Sequence, residues 1–214
     1  MSRFRPLPVA FYRRDAEVVA RELLGRFLVR RLDGERLVLR IVETEAYLGA
    51  PDRASHAWAG RRTARNRSLY LPGGYAYVYF IYGMHYCLNA VAGSRHEGGA
   101  VLLRAGEPVA GAERMAAHRG LGRPPRPGDL AGGPARLCQA LAVDRDLDGA
   151  PLYRGPLVVA AGEPVPAAEI AAGPRVGVDY AGPAAAWPLR FAVGGNPHVS
   201  RPPPAGAVEP GGRR

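Results

Sequence analysis

Two stretches force antiparallel β structure on the first half of the chain, and they restrict the fold more than any other feature. Residues 27–31 and 37–44 are rich in β-branched and large apolar side chains and flank Asp33-Gly34. That pair suits the left-handed backbone of a two-residue hairpin turn. Residues 75–81 and 86–91 repeat the pattern around Gly83-Met84-His85. A further strand is expected at 100–105, with weaker ones at 157–161, 175–178 and 189–193. Helical patterns lie between these runs. Asp15 is an N-cap residue type ahead of an apolar face containing Val19 and Leu23, and Gly25 can close that helix. Residues 107–120 and 134–143 also read as helices, with Pro134 suited to a first helical position. Hairpins beside separate helices indicate an α+β domain.

At 214 residues and 47% hydrophobic content, the chain can bury the core of one single compact domain. That domain is expected over residues 8–201. Residues 1–7 read as a mobile lead-in, and the Pro/Gly-rich residues 202–214 as a disordered tail. No apolar run is long enough for a membrane span, and no apolar h-region follows Arg3 and Arg5. Cys87 and Cys138 are far apart, so both are expected as reduced thiols in a cytoplasmic protein.

The net charge of +10 makes a polyanion the first partner to consider. Its distribution is more telling than its size. Between Asp52 and Glu97 there is no acidic residue, while Arg53, Arg61, Arg62, Arg65, Arg67 and Arg95 alternate with Trp58 and a run of tyrosines. Arginines for phosphates beside aromatics for stacking form a nucleic-acid signature. All 29 basic residues are arginine. The absence of lysine excludes a Walker A loop, a pyridoxal Schiff base and a lysine nucleophile.

Residues Ile41-Val-Glu-Thr-Glu-Ala-Tyr47 put Glu43, Glu45 and Tyr47 on one strand face. Carboxylates on an apolar strand need partners or water, so this face is expected to line a cleft. Two chemistries fit a carboxylate in a basic, aromatic groove. One is metal-dependent phosphodiester cleavage with Glu43, Glu45 and His56 as ligands. The other is metal-free activation of water against a sugar carbon. The next carboxylate after Asp52 is Glu97, which leaves a two-metal site short of ligands. A zinc deaminase lacks its cysteine pair. The non-enzymatic alternative is a DNA-binding module that recognises distorted duplex without cutting it.

The sequence Val42-Glu-Thr-Glu-Ala-Tyr-Leu-Gly49, then Ser55-His56 and Arg61-Arg-Thr-Ala-Arg-Asn-Arg67, resembles the alkyladenine (3-methyladenine) DNA glycosylase family. Tyr77-Val-Tyr-Phe-Ile-Tyr-Gly-Met84, Cys87-Leu-Asn89 and Val101-Leu-Leu-Arg-Ala105 continue the likeness. So do Gly133-Pro-Ala-Arg-Leu-Cys-Gln-Ala-Leu141, Pro174-Arg-Val-Gly-Val178, Pro188-Leu-Arg-Phe191 and Asn196-Pro197. The resemblance implies a curved antiparallel β core with flanking helices and a β-hairpin inserted into DNA. It implies a monofunctional enzyme that flips damaged purines out of double-stranded DNA, works as a monomer and needs no cofactor or metal. By position, Glu45 resembles the general base, with Arg104 and the Val178 carbonyl holding the attacking water. Tyr47, His56 and Tyr79 resemble the walls of the base pocket, and Asn89 the residue that opposes the 2-amino group of guanine. Tyr82 resembles the wedge, with Met84 beside it. Arg61, Thr63 and Arg65 resemble DNA contacts, and Arg136 is a further one. In a DNA-binding module that does not cut, a pairing of Glu45 with Arg104 would have no purpose.

Overall fold

The computed structural model describes residues 4–201. Strands β1 (Phe27–Leu32) and β2 (Glu35–Tyr47) pair through a turn in which Asp33 and Gly34 both have positive φ (49° and 78°). This is the left-handed pair the expected hairpin requires. Strands β3 (Ala76–Ile81) and β4 (His85–Ala92) form the second hairpin, and β5 (Gly99–Ala110) lies between β4 and β2. The sheet runs β3-β4-β5-β2-β1-β6, with β6 at Leu157–Ala160; β7 (Ile170–Gly173) pairs with β8 (Arg190–Val193). All the pairings are antiparallel. Strand β2 is long enough to change neighbours, pairing with β1 along residues 35–40 and with β8 at Glu43, Thr44 and Glu45.

Helices cover the sheet face opposite the two glutamates. Helix α1 is Val9–Tyr12, and α2 (Ala16–Leu23) starts where the Asp15 side chain accepts from Glu17 N–H at 2.8 Å. Helix α2 buries Val19, Ala20 and Leu23, and the Thr44 hydroxyl donates to the Ala20 carbonyl at 2.9 Å. Thr44 thus points to the helices, which sends Glu43 and Glu45 to the other side. Helix α3 is Ala112–His118, and α4 (Pro134–Ala140) packs on β4 and β5 with Pro134 in its first turn.

Three expectations are corrected. Strand β5 does not stop at Ala105 but continues through Gly106 and Pro108 to Ala110, so the helix expected from 107 begins only at Ala112. Gly106 looks like a breaker, yet a Cβ there would lie 2.8 Å from the Leu39 Cβ, so the missing side chain is what lets β2 approach. Residues 175–178 are not a strand; Gly177 has φ of +73° and the chain turns there. Finally, residues 4–7 of the lead-in are docked. Phe4 and Leu7 are buried, and Leu7 N–H donates to the Val159 carbonyl at 2.9 Å. Residues 1–3 and the expected tail 202–214 lie outside the described residues. Among the described residues no helix is long and apolar enough to cross a membrane.

Candidate active site

Register places residues from four strands on one face. Tyr77 faces Asn89, Asn89 faces Leu102, and Leu102 faces Glu45. Directly opposed residues project to the same side. Period-two alternation then adds Tyr79, Cys87, Arg104, Glu43 and Tyr47. At Glu43 the register slips: Glu43 faces Ala105, and Thr44 already faces Leu103. Arg104 is left without a direct opposite, an irregularity of the kind that re-aims a side chain. Its guanidinium sits between the two carboxylates, Nε 3.0 Å from Glu43 Oε1 and Nη1 3.3 Å from Glu45 Oε1.

Glu45 is fully buried and held from three directions. Its Oε1 accepts from Val176 N–H at 2.7 Å and pairs with Arg104; its Oε2 accepts from the Tyr47 hydroxyl at 2.9 Å. A carboxylate offers about four acceptor positions. One, on Oε2, is therefore spare. Burial pushes the Glu45 pKa above the usual carboxylate range, against the opposing pull of Arg104, the Val176 N–H and the Tyr47 hydroxyl. Such a carboxylate is a stronger base than an exposed one. Burial lowers the Arg104 pKa, but Glu45 and Glu43 more than compensate, so the net shift is upward and the guanidinium stays charged.

Glu43 has a different task from Glu45. Its Oε1 accepts from Arg104 Nε and, at 3.1 Å, from Arg190 Nη1, while Oε2 accepts from Ser200 N–H at 2.7 Å. Ser200 Oγ accepts from Arg104 Nη2 at 3.1 Å. Arg104 is thus oriented by Glu43, Glu45 and Ser200 together. Ser200 carries no sequence signal for this role.

In front of Arg104 lies a cavity of about 330 Å³, within the range of small-molecule sites. Tyr47, His56, Tyr77, Tyr79, Asn89, Arg104 and Val178 are among its lining residues. His56 Nδ1 lies 2.8 Å from the Tyr77 hydroxyl, and its ring meets Tyr79 edge-on at 4.6 Å. Desolvation of its packed face, then Arg65 and Arg61, lower the His56 pKa and favour the neutral ring. Glu43 and Glu45 turn to Arg104 while His56 turns to Tyr77, so these three do not converge as metal ligands. Asn89 Nδ2 donates to the Tyr77 carbonyl at 3.0 Å, which fixes its amide plane. The Val178 carbonyl accepts from Ala181 N–H at 2.8 Å, leaving one lone pair.

A second buried pair supports the pocket from behind. Asp52 and Arg175 are both inaccessible; Asp52 Oδ1 accepts from Arg175 Nη2 at 2.9 Å, and Oδ2 from Nη1. Asp52 also accepts from the N–H groups of Leu48 and Ala54, each at 3.0 Å. The Arg175 guanidinium lies 4.8 Å from the Tyr47 ring centroid, and the next residue donates the Val176 N–H to Glu45. One ion pair therefore positions two of the three partners of the Glu45 carboxylate, the Tyr47 hydroxyl and the Val176 N–H.

The β3–β4 hairpin stands beside the cavity. Tyr82 and Met84 are 80% and 66% exposed at its tip. Tyr82 and Gly83 both have positive φ, 54° and 69°, and a bulky residue in that region carries strain. Arg65 donates to the Phe80 carbonyl, tying the Arg61–Arg65 segment to this hairpin. Thr63 and Asn66 form a capping box, and Asn66 Nδ2 donates to the carbonyls of His56 and Arg61, each at 2.9 Å. Asn66, which enters the sequence reading only within the Arg61–Arg67 motif and without a role there, thus ties the pocket wall to the exposed arginines. Arg136 is exposed on α4 and donates to the Gly128 carbonyl at 3.3 Å.

The family model for methylpurine-DNA glycosylases matches residues 10–197. The chain belongs to the methylpurine-DNA glycosylase family. Relatives provisionally named 3-methyladenine DNA glycosylases cover nearly the whole of it. One from Myxococcus xanthus is 47% identical over 204 residues, covering 95% of this chain and 98% of its own. One from Koribacter versatilis is 47% identical over 202 residues, covering 94% and 95%. One from Methanocella arvoryzae is 48% identical over 199 residues, covering 92% and 97%. The family model spans every side chain placed in the site except Ser200.

Proposed function

We propose that this protein is a monofunctional DNA glycosylase acting as a monomer in the cytoplasm. In this reading it draws damaged purines out of duplex DNA and hydrolyses their N-glycosidic bond without a metal or cofactor, starting base excision repair. Its substrates are 3-methyladenine and related lesions: 7-methylguanine, ethenoadenine and hypoxanthine. The single observation that carries the reading is the Glu45 carboxylate, buried beneath an aromatic cavity with one acceptor position spare. A water in that position donates one proton to Glu45 and directs its oxygen at the sugar C1′. As the C1′–O bond forms, the C1′–N bond breaks and its electron pair leaves with the base. Arg104 and the Val178 carbonyl hold the water, and the alkylated base is already a good leaving group.

Tyr47, His56 and Tyr79 enclose the base. Arg175 already sits against the Tyr47 ring, which weakens that ring as a partner for a second cation. Attraction for a cationic base then falls mainly to Tyr79, at about 1–2 kcal/mol when desolvated. Tyr47 serves neutral lesions equally well by stacking.

The deciding experiment incubates the protein with duplex containing 3-methyladenine or ethenoadenine in the presence of EDTA. Released base is assayed by chromatography, and the DNA is run on a denaturing gel without alkali. Base release with an unbroken strand is expected, because the sequence contains no lysine to form a Schiff base with the opened sugar. Loss of activity in EDTA would point instead to a metal-dependent nuclease. A strand break or a borohydride-trapped adduct would end the monofunctional assignment.

The hairpin tip supplies the wedge in this reading, with Tyr82 filling the space the flipped nucleotide vacates and Met84 flanking it. Arg61, Thr63, Arg65 and Arg136 contact the DNA backbone. Stacking of this type is worth about 1–3 kcal/mol. Tyr82→Ala is therefore expected to weaken capture of a lesion in duplex about ten-fold, with a smaller loss on a single strand. Equal losses on the two substrates would count against the wedge.

Asn89 is held rigid by its bond to the Tyr77 carbonyl, so it can crowd the 2-amino group of normal guanine. Asn89→Ser and Asn89→Ala are expected to raise guanine excision from mismatched pairs. If guanine stays excluded in both variants, discrimination lies elsewhere in the pocket.

A further inference from the structure

Next to the lesion pocket lies a second, larger cavity of about 560 Å³. The two share Ser55, His56, Tyr77 and Tyr180 as walls. Its other walls include Arg53, Arg61 and Arg65, with Trp58 at its side, and among the described residues no carboxylate lines it. Asp52, adjacent in sequence, is buried and neutralised by Arg175. Trp58 and Tyr180 are 45% and 63% exposed, two of the few large aromatic side chains left open to solvent.

The Trp58 segment is built as a fixed platform. Trp58 N–H donates to the Ser55 carbonyl at 3.1 Å and Ala59 N–H to the Ala50 carbonyl at 3.0 Å. Ala59 and Gly60 both hold positive φ, 52° and 74°, and a strained alanine persists only where its surroundings over-determine it. Asn66 bonds the carbonyls of His56 and Arg61 on either side of the segment. The Arg53 guanidinium lies 5.5 Å from the Trp58 ring centroid, on one side of it. Trp58 is 45% exposed, so part of the indole remains open to a planar partner.

A rigid, exposed indole among arginines, without acidic neighbours, has the make-up of a sequence-tolerant stacking site for single-stranded nucleic acid. We propose that this groove is a second subsite, in which Trp58 stacks one unpaired base flanking the lesion while Arg53 and its neighbours hold the adjoining phosphate. It rests on the glycosylase reading, and extends it to lesions in unpaired or melted DNA. Within intact duplex the neighbours of a flipped nucleotide stay stacked, so they cannot reach Trp58. The subsite is used only where the strand is open.

The test uses the full chain and lesion-free, dye-labelled oligothymidylate, with dye anisotropy as the readout of affinity in every variant and tryptophan emission as a second readout in the wild type. Wild type is expected to show salt-sensitive quenching. Trp58→Ala should weaken oligothymidylate binding at least about five-fold, the low end of one base–aromatic stack, and Trp58→Phe should retain most of it. Arg53→Ala should weaken binding and flatten its salt dependence. Excision from lesion-containing duplex should be unchanged in Trp58→Ala. Unaltered oligothymidylate affinity in Trp58→Ala, or an equal loss on duplex, overturns the subsite. Competition by polyglutamate as effective as that by oligothymidylate overturns it too, since the groove would then be a general anion surface. Failure of the wild type to release base from lesion duplex would remove the glycosylase reading, and the quenching result would still stand on its own.

Discussion

Glu45→Gln is expected to bind lesion DNA as the wild type does and to excise base at least about 10²-fold more slowly, the low end of the contribution of a positioned general base. The substitution is nearly isosteric. A glutamine oxygen can still accept from Val176 N–H, and its amide can donate to the Tyr47 hydroxyl, so the contacts that hold residue 45 survive. What is lost is the site that takes the proton from water. The pH profile gives a second readout. Glu45 must be ionised to act, and burial raises its pKa, so wild-type excision should fall as pH drops through a value above the ordinary carboxylate range. Stability should move the other way. A carboxyl whose folded pKa is raised favours folding below its unfolded pKa and loses that contribution as pH rises through the folded one. Glu45→Gln should therefore be at least as heat-stable as wild type at neutral pH, with the gap closing as pH falls. Normal single-turnover excision by Glu45→Gln would remove this residue from the mechanism.

The largest stability effect is expected at Asp52. Asp52→Ala leaves the inaccessible Arg175 guanidinium without its partner and the N–H groups of Leu48 and Ala54 without an acceptor. Breaking one side of a buried pair costs about 3–5 kcal/mol, which for a chain of this size lowers the melting temperature by roughly 10 °C. Excision should fall as well, because Arg175 backs the Tyr47 ring and the adjoining Val176 N–H holds Glu45. Thermal melts of Asp52→Ala, Arg175→Met and the double variant check this. The double variant should be less destabilised than the sum of the two singles, because no unpaired charge remains. Strict additivity, or a loss below about 1 kcal/mol for Asp52→Ala, would contradict the role of the pair.

Local chemistry made much of this architecture legible in the sequence. The Asp33-Gly34 turn, the Asp15 cap and the tyrosine-rich hairpin each need only a few adjacent residues. The shared face of Glu43, Glu45 and Tyr47 follows from the two-residue period of a strand. Where the reading stopped short, the deciding contact was distant. Gly106 and Pro108 look like strand breakers until Leu39 is seen to approach Gly106. Residues 175–178 look β-forming until Arg175 is seen to be drawn inward to Asp52.

The sequence by itself determined the identity of the reactive groups, the strands and turns that carry them, and the arginine-rich, acid-free character of the surface around them. The tertiary structure alone decided how those groups are set. It pairs Asp52 with Arg175 across 123 positions, Glu45 with Val176 across 131, and Glu43 with Ser200 across 157. It slips the register at Glu43 so that Arg104 reaches both carboxylates. Such contacts leave no periodic trace in the chain, because a buried charge is indifferent to sequence separation. It requires only that its partner arrive, and the packing of the sheet determines which partner does.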